Sequence, residues 1–521
     1  MCADQGGNNE LDKTMDVDLR AFAPVLYLST AQLPWVQVQP TRPISQLAAA
    51  TVLHCPGSKG TVMGTVPKLL LLLVCSYYSL VAYGQDPLSY TTGSIKTESA
   101  CSESKATPST PAGATVTMHH RYGPCSLDPT KETLTLEEIL HRDHLRATYI
   151  QRKLSPSTNT TGDAQKLEAT LPTSLGTALK TLQYVINVSI GKPAVMQTVM
   201  IDTGSDISWV HCKPCSPCHA QVDPVFDPTM STTYSPITCG SAACTQLGVD
   251  DSAAGCSSSQ CQYIVKYLDG SNTTGTYSSD TLTLGPSVVP GFQFGCSQTG
   301  TGFDDEMIAG LMGLGGGAES LVSQTAATFG PAFSYCLPPP QSSAGFLTLG
   351  ASSGGGSSFT TTRMLRSKRV PTFYFVLLQG IRVGGRAINV LPTVLAGGSV
   401  MDSGTIITRL PPRAYSAMSS AFRAGMLRYT RAKPLGILDT CYDFGNLTTV
   451  SVPAVELVFD GGAVVHLDYD GIMAFDCLAF APSDDGGANS SVSIIGNVQQ
   501  RTFEVLYDVG GGTMGFRAGA C

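Results

Sequence analysis

The chain has 521 residues, a formal net charge of −7, only 14% charged residues, 54 glycines and 17 cysteines. This length is enough for two lobes and additional segments, and the low charge with abundant glycine favours a β-rich, turn-rich fold over a helical one. A modestly acidic chain gains nothing from phosphate backbones, which excludes nucleic acid as a default partner.

A short apolar segment near the N-terminus predicts a signal peptide over residues 63–84. Five consecutive leucines follow a lysine, and Ala82 and Gly84 are the small residues expected just before a cleavage site. The apolar run is short and contains Ser and Tyr, which favours a signal peptide over a membrane anchor. Because Met63 is a natural start for this segment, residues 1–62 are interpreted as a spurious extension or an alternative start.

Residues 85–175 are interpreted as a propeptide that contains one amphipathic helix. Thr135 and Glu138 form a capping-box pattern, and apolar residues then recur at helical spacing as far as Leu154. Two interpretations stay open for this helix: it is a solvated amphipathic surface, or its cations cover an acidic cleft at neutral pH and leave when carboxylates protonate. The cations concerned are Arg142, Arg146, Arg152 and Lys153.

The most informative motif occurs twice. Residues 199–205 read Val-Met-Ile-Asp-Thr-Gly-Ser, and residues 399–405 read Ser-Val-Met-Asp-Ser-Gly-Thr. One such turn alone would be ordinary, but each copy here ends an apolar strand with a carboxylate, a glycine and two hydroxyl residues. If Asp202 and Asp402 meet face to face, both cannot ionise easily, so one holds a proton and the other does not. Such a pair can activate water without a metal or a covalent nucleophile.

Other residues agree with this paired arrangement. Trp209 lies seven residues after Asp202, and Tyr267 opens a Tyr-Leu-Asp-Gly-Ser segment with the composition of a hairpin tip. Two apolar-glycine segments, residues 309–315 and 493–497, each follow one of the aspartates by roughly a hundred residues. The sequence therefore predicts two related halves, each with its own aspartate and a matching glycine segment.

The chain after the propeptide divides at a flexible segment. A Gly/Ser-rich linker at residues 350–358 separates a lobe predicted at 176–350 from a second lobe predicted at 351–521. Strand-like runs recur between turn signals in both lobes. One helix is predicted at residues 413–426, after the second aspartate.

On these motifs the chain resembles the pepsin-type aspartic proteases, and more narrowly their plant nepenthesin-like branch, from about residue 182 to 521. The resemblance implies an all-β fold with a few short helices, in which two lobes enclose a cleft and each contributes one aspartate. It also implies a secreted aspartic endopeptidase made as a zymogen, active at acidic pH, with polypeptide substrates. We expect no cofactor, metal, nucleic acid or stable membrane insertion, and a monomer.

The resemblance further assigns roles to individual residues, with Asp202 and Asp402 as the catalytic dyad. Ser205 and Thr405 would donate hydrogen bonds to the outer carboxylate oxygens. Thr203 and Ser403 would lock the two loops together. Gly204 and Gly404 would leave room for the substrate backbone and the water. Tyr267 would be the flap tyrosine that closes over the substrate, with Trp209 as its hydrogen-bonding partner. Leu268 stands where this branch usually has glycine, so flap dynamics or subsite shape are expected to differ.

The cysteines form a second pattern. Twelve of them lie after residue 170, an even number as a secreted disulfide framework requires. Seven crowd between Cys212 and Cys261; the spacing of the first three could suggest zinc, but an oxidising compartment favours disulfides. The resemblance implies the pairs Cys212–Cys215, Cys218–Cys296, Cys239–Cys261, Cys244–Cys256, Cys336–Cys521 and Cys441–Cys477.

The predicted location is the secretory pathway, with the extracellular space or the vacuole as the destination and the chloroplast less expected. Asn272, Asn446 and Asn489 begin predicted glycosylation sequons. Two alternatives remain: a non-catalytic pepsin-fold inhibitor or binding protein of the xylanase-inhibitor type, and a plastid protease that also binds DNA. The first would lack a working dyad, and the second would need a transit peptide in place of the leucine-rich segment.

Overall fold

A computed structural model describes most of the chain from residue 88 onward. The described residues lie in one compact unit, Tyr83–Cys521. The predicted N-terminal extension and signal peptide lie outside them. The described residues are 88–91, 106–109, 113–123, 125, 135–154, 175–176, 183–216, 218, 220–247, 253–267, 271–301, 307–340, 344–350, 359–483 and 492–520.

The first half of the structure is built mainly of strands, several of them long. The strands up to residue 349 are β1 Leu88–Thr91, β2 Ala114–His120, β3 Leu175–Gly176, β4 Tyr184–Ile190, β5 Val195–Asp202, β6 Trp209–His211, β7 Ser235–Pro236, β8 Ala253–Ser257, β9 Gln260–Tyr267, β10 Asn272–Leu284, β11 Ser287–Thr301, β12 Gly310–Gly313, β13 Ala332–Cys336 and β14 Gly345–Leu349.

The second half is also β-rich, with shorter strands. They are β15 Thr360–Arg363, β16 Leu365–Arg366, β17 Tyr374–Val376, β18 Leu378–Val383, β19 Arg386–Ala387, β20 Ser399–Met401, β21 Thr408–Leu410, β22 Thr430–Arg431, β23 Tyr442–Asp443, β24 Thr449–Val452, β25 Val455–Phe459, β26 Val464–Leu467, β27 Met473–Ala474, β28 Cys477–Leu478, β29 Phe480–Pro482, β30 Ser493–Ile495, β31 Glu504–Asp508 and β32 Thr513–Arg517.

Helices are few in the described part of the chain. They are α1 Leu136–Leu154, α2 Ala242–Leu247, α3 Leu321–Phe329, α4 Pro412–Gly425 and α5 Tyr469–Ile472. The predicted capping box begins α1, since Thr135 Oγ1 accepts from Glu138 N–H at 3.3 Å and Glu138 Oε2 accepts from Thr135 N–H at 2.8 Å. The helix predicted at 413–426 is α4, displaced by one residue.

Half of the strands join one large sheet, and the others form smaller sheets. The large sheet runs β15-β32-β31-β13-β14-β2-β4-β5-β12-β6-β11-β10-β9-β3, and the smaller ones run β16-β17-β20-β30-β21-β29 and β19-β18-β25-β26. Strand β2, from the predicted propeptide, lies inside the large sheet between β14 and β4. The mainly-β, two-lobed fold is therefore confirmed, whereas the placement of β2 was not predicted.

The two halves repeat one strand arrangement around their aspartates. Strand β5 pairs in parallel with β12, which is antiparallel to β6, which is parallel to β11. In the second half, β20 pairs in parallel with β30, which is antiparallel to β21, which is parallel to β29. Strands β12 and β30 lie within the two predicted apolar-glycine segments. A Cβ on Gly310 would lie 2.0 Å from the Trp209 carbonyl oxygen, so glycine is needed for this close approach.

The two disulfides nearest the first aspartate differ from the predicted pairs Cys212–Cys215 and Cys218–Cys296. The structure joins Cys212 to Cys296 and Cys215 to Cys218. The cause is the parallel pairing of β6 with β11: Cys212 N–H donates to the carbonyl of Ser297 at 2.7 Å, which brings the first pair to a Cα separation of 5.3 Å. The first pair is buried, and the remaining two cysteines meet in the more exposed loop beyond it.

The next two predicted pairs, Cys239–Cys261 and Cys244–Cys256, are also wrong. The structure joins Cys239 to Cys256 and Cys244 to Cys261. Strands β8 and β9 form a hairpin in which Cys256 and Cys261 are opposite each other. Of these two, Cys261 is buried and packs in the same apolar cluster as Cys244, while Cys256 is exposed. Each cysteine therefore pairs with the partner on its own side of the hairpin.

The predicted pair Cys441–Cys477 is confirmed. Cys336 is also disulfide-bonded, but Cys521 lies outside the described residues, so their pairing stays a prediction. In an oxidising compartment each such bridge stabilises the fold by roughly 2–4 kcal/mol.

Candidate active site

The two predicted turns place Asp202 and Asp402 together in the interior, with no exposed surface on either residue. Each outer carboxylate oxygen accepts a hydroxyl from its own turn. Ser205 Oγ donates to Asp202 Oδ2 at 2.5 Å, and Thr405 Oγ1 donates to Asp402 Oδ2. Because an ionised carboxylate only accepts hydrogen bonds, these hydroxyls fix the orientation of both groups.

The two turns are also bonded directly to each other. Thr203 N–H donates to Ser403 Oγ at 3.1 Å, and Ser403 N–H donates to Thr203 Oγ1 at 2.9 Å. The bonds are reciprocal and fully buried, so the relative position of the two loops is closely determined. This is the arrangement that the resemblance implied for the same two residues.

A further polar chain lies beneath the dyad and was not found in the sequence. Gln500 Nε2 donates to the Asp402 carbonyl oxygen at 3.3 Å, and Gln500 Oε1 accepts from the Tyr335 hydroxyl. The hydroxyls of Tyr335 and Tyr507 are 2.7 Å apart. Burial raises the pKa of both tyrosines, so they remain neutral hydrogen-bonding groups. Nothing in the local sequence around these residues signals this contact.

The predicted flap pair is hydrogen-bonded. Trp209 Nε1 donates to the Tyr267 hydroxyl at 2.7 Å, and both side chains are buried in one apolar cluster. Tyr267 ends strand β9, and Leu268 after it lies outside the described residues. Of the predicted glycosylation sites, Asn446 is exposed, Asn272 Nδ2 donates to Thr301 Oγ1 at 2.6 Å, and Asn489 lies outside the described residues.

The guanidinium of Arg146, on helix α1, lies between the two carboxylates. Its Nη2 donates to Asp202 Oδ1 and to Asp402 Oδ1 at 2.6 Å each, and its Nε donates to Asp402 Oδ2 at 2.8 Å. The approach requires glycine in both turns, because a Cβ on Gly404 would lie 2.3 Å from the guanidinium carbon and one on Gly204 would lie 2.7 Å from Nη2. Of the four predicted cations of this helix, Arg146 is therefore the one placed on the dyad.

This contact controls the electrostatics of the site. Burial alone would raise the pKa of Asp402, but the charge of Arg146 and the hydrogen bonds from Arg146, Thr405 and Gly404 bring it below its ordinary value. Burial alone would lower the pKa of Arg146, but the two carboxylates raise it above the ordinary value. The site is therefore held as ionised carboxylate and guanidinium while α1 is in place.

Asp143 lies about one helical turn before Arg146 on α1, and its carboxylate also contacts the body of the protein. Asp143 accepts from Ile406 N–H at 2.5 Å, from Ile407 N–H at 3.2 Å and from Arg409 Nη2 at 2.8 Å. Neither Asp143 nor Arg409 was predicted from the sequence as a site residue. The one local signal was the three-residue spacing of Asp143 and Arg146, which places both on one helix face.

Apolar residues of α1 fill the groove on both sides of these polar contacts. Leu140 is fully buried against Ile406, Ile407 and other residues of the second half. Ala147 and Ile150 belong to a separate apolar cluster, together with Phe373, Val400 and Ile494. The helix therefore covers the dyad.

Among the described residues, no group of three or more His, Cys, Asp or Glu side chains is arranged to hold a metal ion. Likewise, no helix within the described ranges is long and apolar enough to cross a membrane.

Comparisons with known proteins agree with this geometry. Residues 184–351 match the family model described as xylanase inhibitor N-terminal, and residues 373–518 match xylanase inhibitor C-terminal. The chain is 39% identical to an aspartyl protease family protein of Arabidopsis thaliana, over 77% of this chain and 86% of the relative. It is 37% identical to aspartyl protease AED1 of the same plant (81% and 90%) and 36% identical to aspartic proteinase nepenthesin-2 of Nepenthes gracilis (63% and 75%).

Solved structures show the same fold at lower identity. The crystal structure of edgp matches with a TM-score of 0.52 and 20% identity, covering 65% of this chain and 92% of that one. Basic 7S globulin from soybean matches with a TM-score of 0.51 and 19% identity, covering 64% and 90%. The structures show the fold, and the relatives at 36–39% identity show the family: the chain belongs to the plant aspartyl proteases, the nepenthesin-like branch of the pepsin-type aspartic endopeptidases.

Proposed function

We propose that the chain is the precursor of a secreted, acid-active aspartic endopeptidase, with Asp202 and Asp402 as its catalytic dyad. The observation that carries this proposal is the shared contact with Arg146. Because the inner oxygens of both carboxylates are 2.6 Å from the same nitrogen, they are separated by no more than twice that distance. One water molecule can therefore contact both.

In the mature enzyme a water takes the place that Arg146 Nη2 holds in the precursor. The ionised carboxylate accepts a proton from this water as its oxygen attacks the scissile carbonyl carbon. The protonated carboxyl donates a hydrogen bond to the carbonyl oxygen, and a proton then passes to the leaving amine. Ser205 and Thr405 hold the outer oxygens, so the inner oxygens stay directed at the water.

The precursor is inactive in this proposal because α1 occupies the site. Its guanidinium fills the position of the water, and its apolar residues fill the groove where a peptide must bind. The predicted propeptide, residues 85–175, includes all of this helix. Removal of the segment is therefore required for activity, as in a zymogen.

The response to acid follows from the sign of the Asp402 shift. The docked helix lowers the pKa of Asp402, so this contact stabilises docking above the ordinary carboxyl pKa of about 3.9 and is lost as the pH falls further. Asp143 opposes this effect, because burial raises its pKa in the docked state. Both groups together set the pH at which α1 is released.

Secretion is supported by the disulfides between residues 212 and 477. Bonds of this kind persist in oxidising compartments and are rare where thiols are kept reduced. The proposed signal peptide at residues 63–84 would deliver the chain there. Cell wall and vacuole are both compatible with this proposal.

A non-catalytic inhibitor or binding protein is the alternative function. It is favoured by the descriptions of the two matching family models and by the likeness of the fold to basic 7S globulin from soybean. The complete pair of turns argues against it, because a protein that only binds has no need of two carboxylates with hydroxyl and glycine donors on both.

The experiment is proteolysis of a denatured protein by acid-treated precursor, with and without a pepstatin-type inhibitor. Asp202→Asn keeps the size of the side chain but removes the second carboxylate, so we expect at least a thousandfold loss of activity. A surface variant such as Asp443→Asn is the matched control, since Asp443 is exposed. Activity that survives both the inhibitor and Asp202→Asn would exclude the dyad mechanism, and absence of any activity would favour the binding protein.

A further inference from the structure

The polar chain beneath the dyad, formed by Tyr335, Tyr507 and Gln500, connects the two aspartate turns. The Tyr335 hydroxyl donates to Gln500 Oε1, and Gln500 Nε2 donates to the Asp402 carbonyl oxygen at 3.3 Å. At the other end, the Tyr507 hydroxyl is 2.7 Å from that of Tyr335 and is also hydrogen-bonded to the side chain of Thr203. The hydrogen bonds therefore run from the first turn, at Thr203, to the second turn, at Asp402.

The protons of this polar chain point in one direction. A phenol hydroxyl has one proton to donate, and that of Tyr335 goes to Gln500. The proton between the two tyrosines must then come from Tyr507, whose oxygen is left to accept from Thr203. Each member thus donates towards Asp402, and hydrogen bonds aligned in this way strengthen one another.

Packing fixes the position of both tyrosines. Tyr335 on β13 and Tyr507 on β31 lie on adjacent antiparallel strands, two residues apart in register, so their side chains share one face of the sheet. The Tyr507 ring stacks on Phe333 with centroids 4.4 Å apart and meets Tyr374 edge-on at 5.0 Å. Both tyrosines are fully buried. The two hydroxyls therefore lie on a rigid support.

Gln500 holds the second turn at more than one point. Its Nε2 also donates to the carbonyl oxygens of Ile495 at 2.8 Å and Gly496 at 3.3 Å. Ile495 ends strand β30, which pairs with β20, and Asp402 directly follows β20. One side-chain amide therefore joins the two strand ends that carry the second aspartate.

We infer that Tyr335, Tyr507 and Gln500 are positioning residues, which hold the two aspartate turns at the separation at which their carboxylates share one proton. They act through the backbone of Asp402 and the hydroxyl of Thr203. The inference rests on the proposed function, since it concerns the dyad of the same protease. It adds a second connection between the turns, separate from the direct threonine–serine bonds.

This role predicts a specific change in the pH profile of the processed enzyme. Two carboxylates that share a proton have one pKa pushed down and the other pushed up, and the gap depends on their separation. If the turns move apart, the Coulomb interaction weakens and the two pKa values approach each other. Burial raises the pKa of Tyr335 and of Tyr507, and Arg146 has left with the propeptide, so both limbs of the profile report the dyad.

The test follows kcat and KM of acid-processed enzyme on one quenched fluorescent peptide across the acid range. Titration with a pepstatin-type inhibitor counts the folded active sites. For Tyr335→Phe and for Tyr507→Phe we expect a kcat per site about tenfold lower and an almost unchanged KM. Both limbs should move inward by roughly half a pH unit. Because either change interrupts the same polar chain, the double variant should lose little more than one of them.

Tyr263→Phe is the matched control. Tyr263 is also fully buried, but its hydroxyl is 2.8 Å from Thr273 Oγ1 in a different apolar cluster. Its loss should lower stability and leave both limbs in place. If a tyrosine variant of the polar chain does not fold, Gln500→Met applies the same test, because methionine has nearly the shape of glutamine but cannot donate to the Asp402 carbonyl.

The outcomes separate the two proposals. Limbs that stay in place in the Tyr335 and Tyr507 variants, or that move equally in Tyr263→Phe, would refute the positioning role and leave the protease assignment intact. A purely structural role would reduce the number of titrated sites without changing kcat per site. Failure of the unmodified enzyme to cleave any peptide would refute the proposed function, and the positioning role with it.

Discussion

His120 is the last residue of strand β2 and belongs to the predicted propeptide. Its side chain is buried and its pKa is strongly lowered. Its ring meets Tyr184 edge-on with centroids 5.3 Å apart, and its Nδ1 accepts from Tyr122 N–H at 3.2 Å. Burial and the charge of Arg501 lower the pKa of His120 to about 3, although a hydrogen bond with Gln183 acts in the opposite direction. The folded precursor therefore holds this imidazole neutral through the whole range of mildly acidic pH.

The sign of the effect follows from proton binding. A histidine released to water titrates near 6.5, so below that pH the released state binds a proton that the docked state does not. Stability is then lost as the pH falls from about 6.5 towards 3. Each pH unit is worth about 1.4 kcal/mol, so at pH 4.5 the loss is about 2.7 kcal/mol.

The assay compares unfolding free energies of the precursor at pH 7 and pH 4.5, in an Asp202→Asn background that prevents self-cleavage. His120→Asn keeps an acceptor for the N–H of Tyr122 but cannot gain a proton, so its loss on acidification should be smaller by about 2–3 kcal/mol. His119→Asn is the matched control on the opposite face of β2. Equal pH dependence of the parent and His120→Asn would refute the reasoning.

Three further predictions concern the dyad, the flap and the disulfides. Arg146→Gln leaves the buried carboxylates without their cation, so it should weaken docking of α1 by about 3–5 kcal/mol. The unprocessed precursor should then cleave peptides. The control Arg142→Gln, assayed on the same peptides, should stay inactive without processing. Tyr267→Phe removes the hydroxyl that accepts from the indole, which should cost about 1 kcal/mol in chemical denaturation; an unchanged midpoint would contradict the bond. Replacement of Cys244 and Cys261 by Ser opens a loop with a sequence separation of 17 and should lower the unfolding free energy by about 3 kcal/mol, whereas no loss would show that the bridge is not structural.

Sequence patterns within a few residues were enough to predict most of the fold and the two aspartates of the dyad. The two aspartate turns could be predicted because strand, glycine and hydroxyl residues are adjacent in sequence, and α1 because its capping box and its apolar spacing are local too. The pairing of Cys212 with Cys296 could not, since it depends on the register of β6 against β11. The contact of Asp143 with Arg409 joins segments 266 residues apart, and only the docking of α1 on the second half creates it.

Strand β2 has a consequence for what remains after processing. It pairs with β14 on one side, where Met118 faces Gly345, and with β4 on the other, where Met118 faces Ile186. A cut near residue 175 that released this strand would open a slot between two ladders and leave both with unbonded amides and carbonyls. The mature enzyme therefore needs another strand to satisfy these groups. Either the cleaved strand β2 stays bound non-covalently, or the new N-terminal segment takes its place between β14 and β4.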